Sequence, residues 1–310
     1  MSPLFSVVIP TYNSASKVTH AIKSVLAQKF KDYEIWVIDD GSTDNTQTAL
    51  QPFADQIHYH YQENQGAAAA RNQGITHARG TYVAFLDADD WWYPQKLARV
   101  AEAIPTWPDT GLFYSQVDFL NAAGEKLWTY RSEDRGTSNY LTLLKRDFVM
   151  TSSTVVKKTC FTEVGTFDIT LSRCQDWDMW IRITRNYPIH LIAEPLSAYA
   201  YMAAGSLTAN TTRWIQAHDQ LLKKIMTDDP HLTPAYQRQI RSAFAYRKGK
   251  IYLAAREDHP ALQEFRKALT HHWRNWQAWP YWFLLKYPFI RQYLLPTRIK
   301  HALRLPEMQT

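Results

Sequence analysis

The chain has 310 residues with 45% apolar and 21% charged side chains, an ordinary balance for a folded protein and enough for one large α/β core plus a smaller appendage. It lacks an uninterrupted apolar run of about 18 residues, a signal-like start (Met1-Ser2-Pro3-Leu4-Phe5) and any Cys/His cluster beside Cys160 and Cys174, which argues against a spanning helix, a secreted disulfide scaffold and a zinc site, and for a reduced, cytoplasmic setting. The net charge of +6 is uneven: residues 241–310 carry 13 Lys+Arg against 4 Asp+Glu, while residues 1–240 carry 22 against 25, so the basic character belongs to the C-terminal tail and suits an anionic surface.

The first hundred residues alternate strand and helix. Leu4 to Ile9 reads as an apolar strand ended by Pro10, and Ser14 is placed to cap a helix with the apolar face Val18, Ile22, Val25 and Leu26. Strands follow at Glu34–Ile38, Ile57–Tyr61 and Thr81–Leu86, with a helix at Ala67–Ala78. Such alternation implies right-handed crossovers and a mostly parallel sheet, with ligands at the carboxyl ends of its strands. The middle mixes strands (Gly111–Leu120, Thr154–Lys157, Ile189–Tyr201) with helices, one opening at Gln175-Asp176-Trp177-Asp178 and burying Trp177, Trp180, Ile181 and Thr184. From about 212 onward the pattern is helical only.

Polar groups collect at the expected strand ends: Thr11, Tyr12 and Asn13, then Asp39 and Asp40, then Asp87-Ala88-Asp89-Asp90 after the apolar run Tyr82–Leu86. In extended chain, residues i and i+2 point the same way, so Asp87 and Asp89 face one space. Like charges that close call for a cation between them, and oxygen-only ligands suit Mg²⁺ or Mn²⁺ completed by substrate phosphates. The triplet also suits an acidic turn capping the next helix. The loop Asp39–Thr43 reads equally as an Asx turn, Arg71 as a solvated arginine, and Asp176 as a helix N-cap with Asp178 a first-turn acid.

Ser6-Val7-Val8-Ile9-Pro10-Thr11-Tyr12-Asn13, Val37-Ile38-Asp39-Asp40-Gly41-Ser42-Thr43-Asp44, Asn64-Gln65-Gly66 through Arg71-Asn72, and Phe85-Leu86-Asp87-Ala88-Asp89-Asp90 together resemble glycosyltransferase family 2 over roughly residues 4–208. The resemblance implies a GT-A fold at 1–210, with a nucleotide-binding half (1–110) and an acceptor-binding half (111–210), and leaves 211–310 as a helical, basic, Trp-rich extension. It implies that Pro10, Thr11 and Tyr12 contact the nucleotide, that Asp40 and less directly Asp39 accept the uracil N3–H, and that Arg71 approaches the phosphates, where its fork matches two oxygens. It further implies that Asp87 lies by the ribose or donor sugar, that Asp89 binds the metal with Asp90 supporting, and that Asp176 is the base of an inverting transfer. Gln175 stands where the family has Glu. Tyr201 and Ala203 stand where many members have an Arg-x-His, so phosphate contact from that loop would fall to backbone N–H groups or Ser206.

Trp91, Trp92, Gln175 and Trp177 are candidates for the acceptor side, the aromatic rings offering faces for sugar C–H surfaces; core packing is the other use of such rings. Near the C-terminus Trp273, Trp276, Trp279 and Trp282 recur every three residues, followed by Arg291, Arg298, Lys300 and Arg304. That region, 271–304, reads as a peripheral membrane foot at the inner face of the cell membrane, or as a helical subdomain with its indoles buried. Nucleic acid is not an expected partner, since no recognised motif accompanies the charge. The expected function is metal-dependent inverting transfer from a nucleotide-diphospho-sugar, a uridine one, to a glycan or lipid-linked hydroxyl. A catalytically silent sugar-nucleotide-binding subunit is the alternative. A nucleotidyltransferase or dinucleotide enzyme would want an early Gly-rich loop, yet the first glycine is Gly41.

Overall fold

The structure is a computed structural model that describes residues 2–121, 123–132, 134, 136–201 and 211–287. Ala203 and Ser206, and the tail residues Arg291, Arg298, Lys300 and Arg304, lie outside the described residues. The chain divides into two compact units, one of Met1–Leu143, Phe148–Thr170 and Gln175–Tyr201, the other of Leu144–Asp147, Leu171–Cys174 and Met202–Thr310.

The first unit begins β1 (Phe5–Thr11), α1 (Ala15–Leu26), β2 (Tyr33–Asp40), α2 (Thr46–Leu50), β3 (His58–Gln62), α3 (Ala67–His77) and β4 (Tyr82–Phe85). It continues with β5 (Asp90–Trp92), α4 (Lys96–Ala103), β6 (Leu112–Leu120), β7 (Lys126–Tyr130), α5 (Asn139–Leu143), β8 (Val155–Lys157), α6 (Lys158–Val164), α7 (Gln175–Asn186) and β9 (Ile189–Ala200). The strands form one sheet in the order β3-β2-β1-β4-β8-β6-β9-β5, with β7 on β6. β1 is wholly buried and its register runs Val7↔Ile35 and Val7↔Ala84, so β2 and β4 flank it in parallel. α1 packs Val18, Ala21, Ile22 and Val25 into the same core as Phe5, Val7 and Ile9, as its 3–4 spacing requires.

Two sequence expectations change here. The sheet is mixed: β1–β2, β2–β3, β1–β4 and β6–β9 are parallel, while β4–β8, β6–β8, β6–β7 and β5–β9 are antiparallel. The parallel half follows helical crossovers; β6 and β7 are joined by a short turn with Gly124 at φ 79, which permits only antiparallel pairing. Ser14 precedes α1 without capping it, because its hydroxyl donates to Tyr12 O at 2.9 Å.

The second unit is helical among its described residues: α8 (Thr211–Asp228), α9 (Pro234–Ala254), α10 (Asp258–His271) and α11 (Ala278–Lys286). Thr233 caps α9 and Pro234 occupies its first turn. The core joins Ala245, Tyr246 and Leu253 of α9 to Ala261, Phe265 and Ala268 of α10 and Ala278 of α11. Trp282 packs against this core, but Trp273, Trp276 and Trp279 are exposed, so burial of all four indoles is ruled out. No helix among the described residues is long and apolar enough to cross a membrane.

Candidate active site

The carboxyl ends of β1 and β2, the start of α3 and the turn after β4 enclose a cleft of about 290 Å³. Of the residues singled out in the sequence, Pro10, Thr11, Tyr12, Asp40, Arg71, Asp87 and Asp89 line it together. Tyr12 is half exposed and free to present its ring, whereas Thr11 is buried with no partner for its hydroxyl among the described residues. Asn13 ties the loops after β1 and β2: its Oδ1 accepts from Thr43 N at 2.8 Å and its own N–H donates to Ser42 Oγ at 2.9 Å.

The paired acids ending β2 serve different ends. Asp39 is buried away from the cleft, its oxygens accepting from Ser42 N and Tyr59 OH, both at 2.8 Å. It holds the turn, as the Asx reading has it. Asp40 accepts from Gln62 Nε2 at 2.6 Å, Gln65 N at 2.9 Å and Gly66 N at 2.8 Å. Three of its roughly four lone-pair sites thus shape the loop before α3, and one remains.

Arg71 reaches the cleft because α3 lies hard on β1. A Cβ at Gly74 would stand 2.2 Å from Val8 Cγ1, so only glycine fits one turn beyond the arginine. The guanidinium donates to Asp87 Oδ1 at 2.6 Å and sits 5.6 Å from the Phe167 ring centroid, while its buried Nε finds no partner among the described residues. Burial alone would lower its pKa; the charges of Asp87 and then Asp176 outweigh that and raise it. Arg71 is therefore no solvated arginine. Asn72 holds Phe167 in place by a two-way pairing with its backbone, 2.8 Å in each direction.

The acidic turn is not extended chain. Asp90 N donates to Asp87 O at 3.0 Å, so the backbone folds into a tight turn that brings Asp87 and Asp89 to the cleft and sends Asp90 inward. Desolvation and then the Asp87 charge hold Asp89 above the usual carboxylate range, against Lys17 Nζ at 3.9 Å. Burial, then the charges of Asp87 and Asp89, push Asp90 up much further. No group of three or more His, Cys, Asp or Glu side chains among the described residues is arranged to hold an ion. With Asp87 committed to Arg71, the donor set fits a hard divalent ion on Asp89 only when substrate oxygens complete the shell, and the strained charge of this turn is what such an ion would relieve.

A short 3₁₀ turn, Thr151–Ser153, links the parts. Ser152 Oγ donates to Asp90 Oδ2 and accepts from Asp87 N at 3.0 Å. Thr151 Oγ1 donates to Asp176 Oδ2 at 3.0 Å, and Trp177 N donates to Asp176 Oδ1 at 2.8 Å. Asp176 is half-buried at the head of α7, whereas Asp178 is buried and pairs with Arg182 at 2.8 Å, a structural role. Tyr199, opposite Asp90 in the β5–β9 ladder, is a neutral phenol pushed far up by burial and then by Asp90, Asp87, Asp89 and Asp176. The sequence reading missed Thr151, Ser152 and Tyr199; the run Thr151-Ser152-Ser153-Thr154 before a strand was the available signal, since four polar residues there are buried.

Two acceptor-side candidates are corrected. Trp92 is core: its Nε1 donates to Ser152 O at 2.7 Å and its ring is buried. Trp177 is likewise buried and donates to Leu143 O at 2.6 Å. Neither has a face for a sugar. Trp91 is half-buried edge-on to His20, and Gln175 is half-buried at the start of α7. Lys96 is fully buried, donating to Ser153 O at 2.8 Å and lying 5.1 Å over the Trp92 ring, and burial lowers its pKa to about 7. Between about pH 7 and the ordinary lysine range the unfolded chain binds a proton that the folded chain does not, so stability rises with pH through that window. Lys96→Met is expected to abolish this rise, read as the difference in denaturant midpoints at pH 7 and pH 9 between the two proteins.

The description Glycosyl transferase family 2 matches residues 6–161, half of the chain. The amylovoran biosynthesis glycosyltransferase AmsB of Erwinia amylovora is 28% identical over 84% of this chain and 87% of its own. The first curated relatives are uncharacterized glycosyltransferases of Rickettsia species, of which the alignments with this chain span 63%, 32% and 32%. Among solved structures, residues 1–349 of TarS from S. aureus in complex with UDP-GlcNAc superpose with a TM-score of 0.64 at 15% identity, covering 94% of this chain and 92% of that one. The mannosyltransferase PcManGT of Pyrobaculum calidifontis, in complex with GDP-Man and Mn²⁺, gives 0.60 at 19% identity over 98% and 84%. At such identities the structures speak for the fold alone, which is GT-A; the match over half of the sequence makes this chain a member of glycosyl transferase family 2.

Proposed function

We propose that the chain is an inverting glycosyltransferase that moves a sugar from a nucleotide-diphospho-sugar, a uridine one, to a hydroxyl of a glycan or lipid-linked acceptor in polysaccharide synthesis. The observation that carries this reading is a cleft in which a half-exposed aromatic ring, the buried Arg71 and a turn of crowded carboxylates meet at the carboxyl ends of parallel strands. The polysaccharide context rests on the likeness to AmsB, and the uridine donor on the acceptor that Asp40 keeps in the cleft. Catalysis falls to residues 1–210, the donor half at 1–110 and the acceptor half at 111–210.

In this reading Tyr12 lies against the base while Pro10 and Thr11 follow the nucleotide along the end of β1. Asp40 takes the uracil N3–H with its remaining lone pair. Arg71, fixed by Asp87 on the wall of the cleft, offsets negative charge at the diphosphate that grows as the sugar leaves. Asp87 orients the ribose or sugar. A Mn²⁺ or Mg²⁺ held by Asp89, with Asp87 and Asp90 supporting, would supply charge neutralisation at the leaving diphosphate. Asp176, oriented by Thr151 Oγ1 and Trp177 N, takes the proton of the acceptor hydroxyl as that oxygen attacks the anomeric carbon from the face opposite the leaving group.

The test is release of nucleoside diphosphate from a panel of UDP-, GDP- and dTDP-sugars with Mn²⁺, Mg²⁺ or EDTA. Release from a UDP-sugar that EDTA abolishes is the expected result. Folded protein that binds UDP yet releases none from any donor would shift the assignment to a silent binding subunit.

A further inference from the structure

The helical unit carries an aromatic face that its own core does not use. Trp273, Trp276, Trp279 and Phe283 are 67%, 75%, 44% and 41% exposed. They do not dangle: Trp279 Nε1 donates to Trp273 O at 2.9 Å, and Trp276 N to Arg274 O at 2.8 Å, so the segment between α10 and α11 is folded on itself. α11 is apolar on both sides. Ala278, Tyr281, Trp282 and Leu285 face the core it shares with α9 and α10, while Trp279, Phe283 and Lys286 follow at i, i+4 and i+7 on the outer face. Contiguous exposed aromatics of this size mark a contact surface.

The charge of this stretch of sequence selects the partner. From Ala268 to Pro306 the sequence has six Lys and Arg and no Asp or Glu, Lys267 just before it being paired with Glu264. Arg274 lies 5.2 Å over the Trp273 ring and Lys286 lies 4.6 Å over the Trp282 ring, so cations stand beside the indoles with no acid in that stretch to neutralise them. A second copy of the chain would bring the same positive face against itself and be repelled. Indole and phenyl rings flanked by unneutralised cations match a bilayer surface, where rings enter the headgroup level and cations meet anionic lipid. The helix of nine residues is far too short to span and is suited to lie in the interface.

We propose that the Trp273–Trp276–Trp279–Phe283 face docks the protein on an anionic lipid bilayer. The inference stands apart from the transfer chemistry proposed above. Its test is flotation of the full chain with vesicles of phosphatidylcholine alone and of phosphatidylcholine with about one-third phosphatidylglycerol. Binding to the anionic vesicles is expected, at least tenfold weaker on the neutral ones. The triple variant Trp273→Ser, Trp276→Ser, Phe283→Ser should lose binding by at least tenfold with an unchanged melting curve, because these side chains are outside the core. The second variant, Arg274→Gln with Lys286→Gln, should reduce the preference for anionic lipid and its salt sensitivity. No flotation with either vesicle, or equal flotation of wild type and the triple variant, would overturn the proposal. So would a concentration-dependent dimer in sedimentation velocity that the triple variant loses, since the face would then belong to a second copy.

Discussion

Asp176→Asn is expected to lower turnover by about 10²–10⁴-fold while leaving affinity for UDP unchanged. The substitution separates two roles that share one position. Asp176 stands at the head of α7, where its Oδ1 accepts from Trp177 N and its Oδ2 from Thr151 Oγ1. In the first turn of α7, asparagine gives up only the modest attraction of a carboxylate to the helix dipole. Its carboxamide oxygen keeps the bond to Trp177 N, and its NH₂ faces a threonine hydroxyl that rotates to accept instead of donate. A purely structural Asp176 would therefore show little change in melting temperature or in activity. A base would lose its acceptor for the substrate proton and nothing else. The measurement is kcat and donor KM side by side with a UDP titration; a variant that retains wild-type turnover would end the assignment of Asp176 as base.

The charge of Asp176 is also felt by its neighbours. The Asp176 charge contributes to the raised pKa of Arg71 and, after the three acids of the turn, to that of Tyr199. Its field thus reaches the guanidinium assigned to the diphosphate, although Arg71 belongs to α3 and Asp176 to α7.

Much of the fold was legible because burial leaves a plain signature. β1 and β4 are mainly apolar runs buried along their length, and α1 carries a 3–4 stripe. β5 and β7 were not legible. The first is three residues long and the second is Lys-Leu-Trp-Thr-Tyr with no buried residue, so neither has the length or the alternation that marks a strand. In the site, acids at strand ends could be read from position alone, but the partners that decide their roles could not. Asp39 and Asp40 are adjacent in sequence, yet one faces Tyr59 and Ser42 and the other the loop 62–66 and the cleft. Trp92 and Trp177 could be read from the sequence either as faces for a sugar or as core, and only the structure decides: their N–H groups meet backbone carbonyls inside the core. Thr151 and Ser152 act through convergence in space over more than twenty and sixty residues of chain, which no local pattern records.

Ser152→Ala should then be the most informative change away from the assigned catalytic and donor-binding residues. The Ser152 hydroxyl does two things at once: it donates to the buried carboxylate of Asp90 and accepts the N–H of Asp87. Alanine leaves two buried polar groups of the acidic turn without that partner, a loss of about 2–4 kcal/mol in stability. It also removes the hydrogen bond that opposes the upward pKa shift of Asp90, so the acid is driven further toward its neutral form and the turn toward a different set of bonds. Donor geometry is sensitive to such a change: a misplacement of about 1 Å costs about 10²-fold in rate. The expected result is a kcat/KM lower by about that factor with a raised metal requirement. Ser153→Ala is the matched control. It loses one buried hydrogen bond, to Met150 O at 2.7 Å, and touches neither acid. Both variants should melt earlier, but Ser153→Ala should keep its metal titration midpoint and donor KM. If the two variants lose activity in proportion to their stability alone, Ser152 is a core residue and the acidic turn is held by its own backbone.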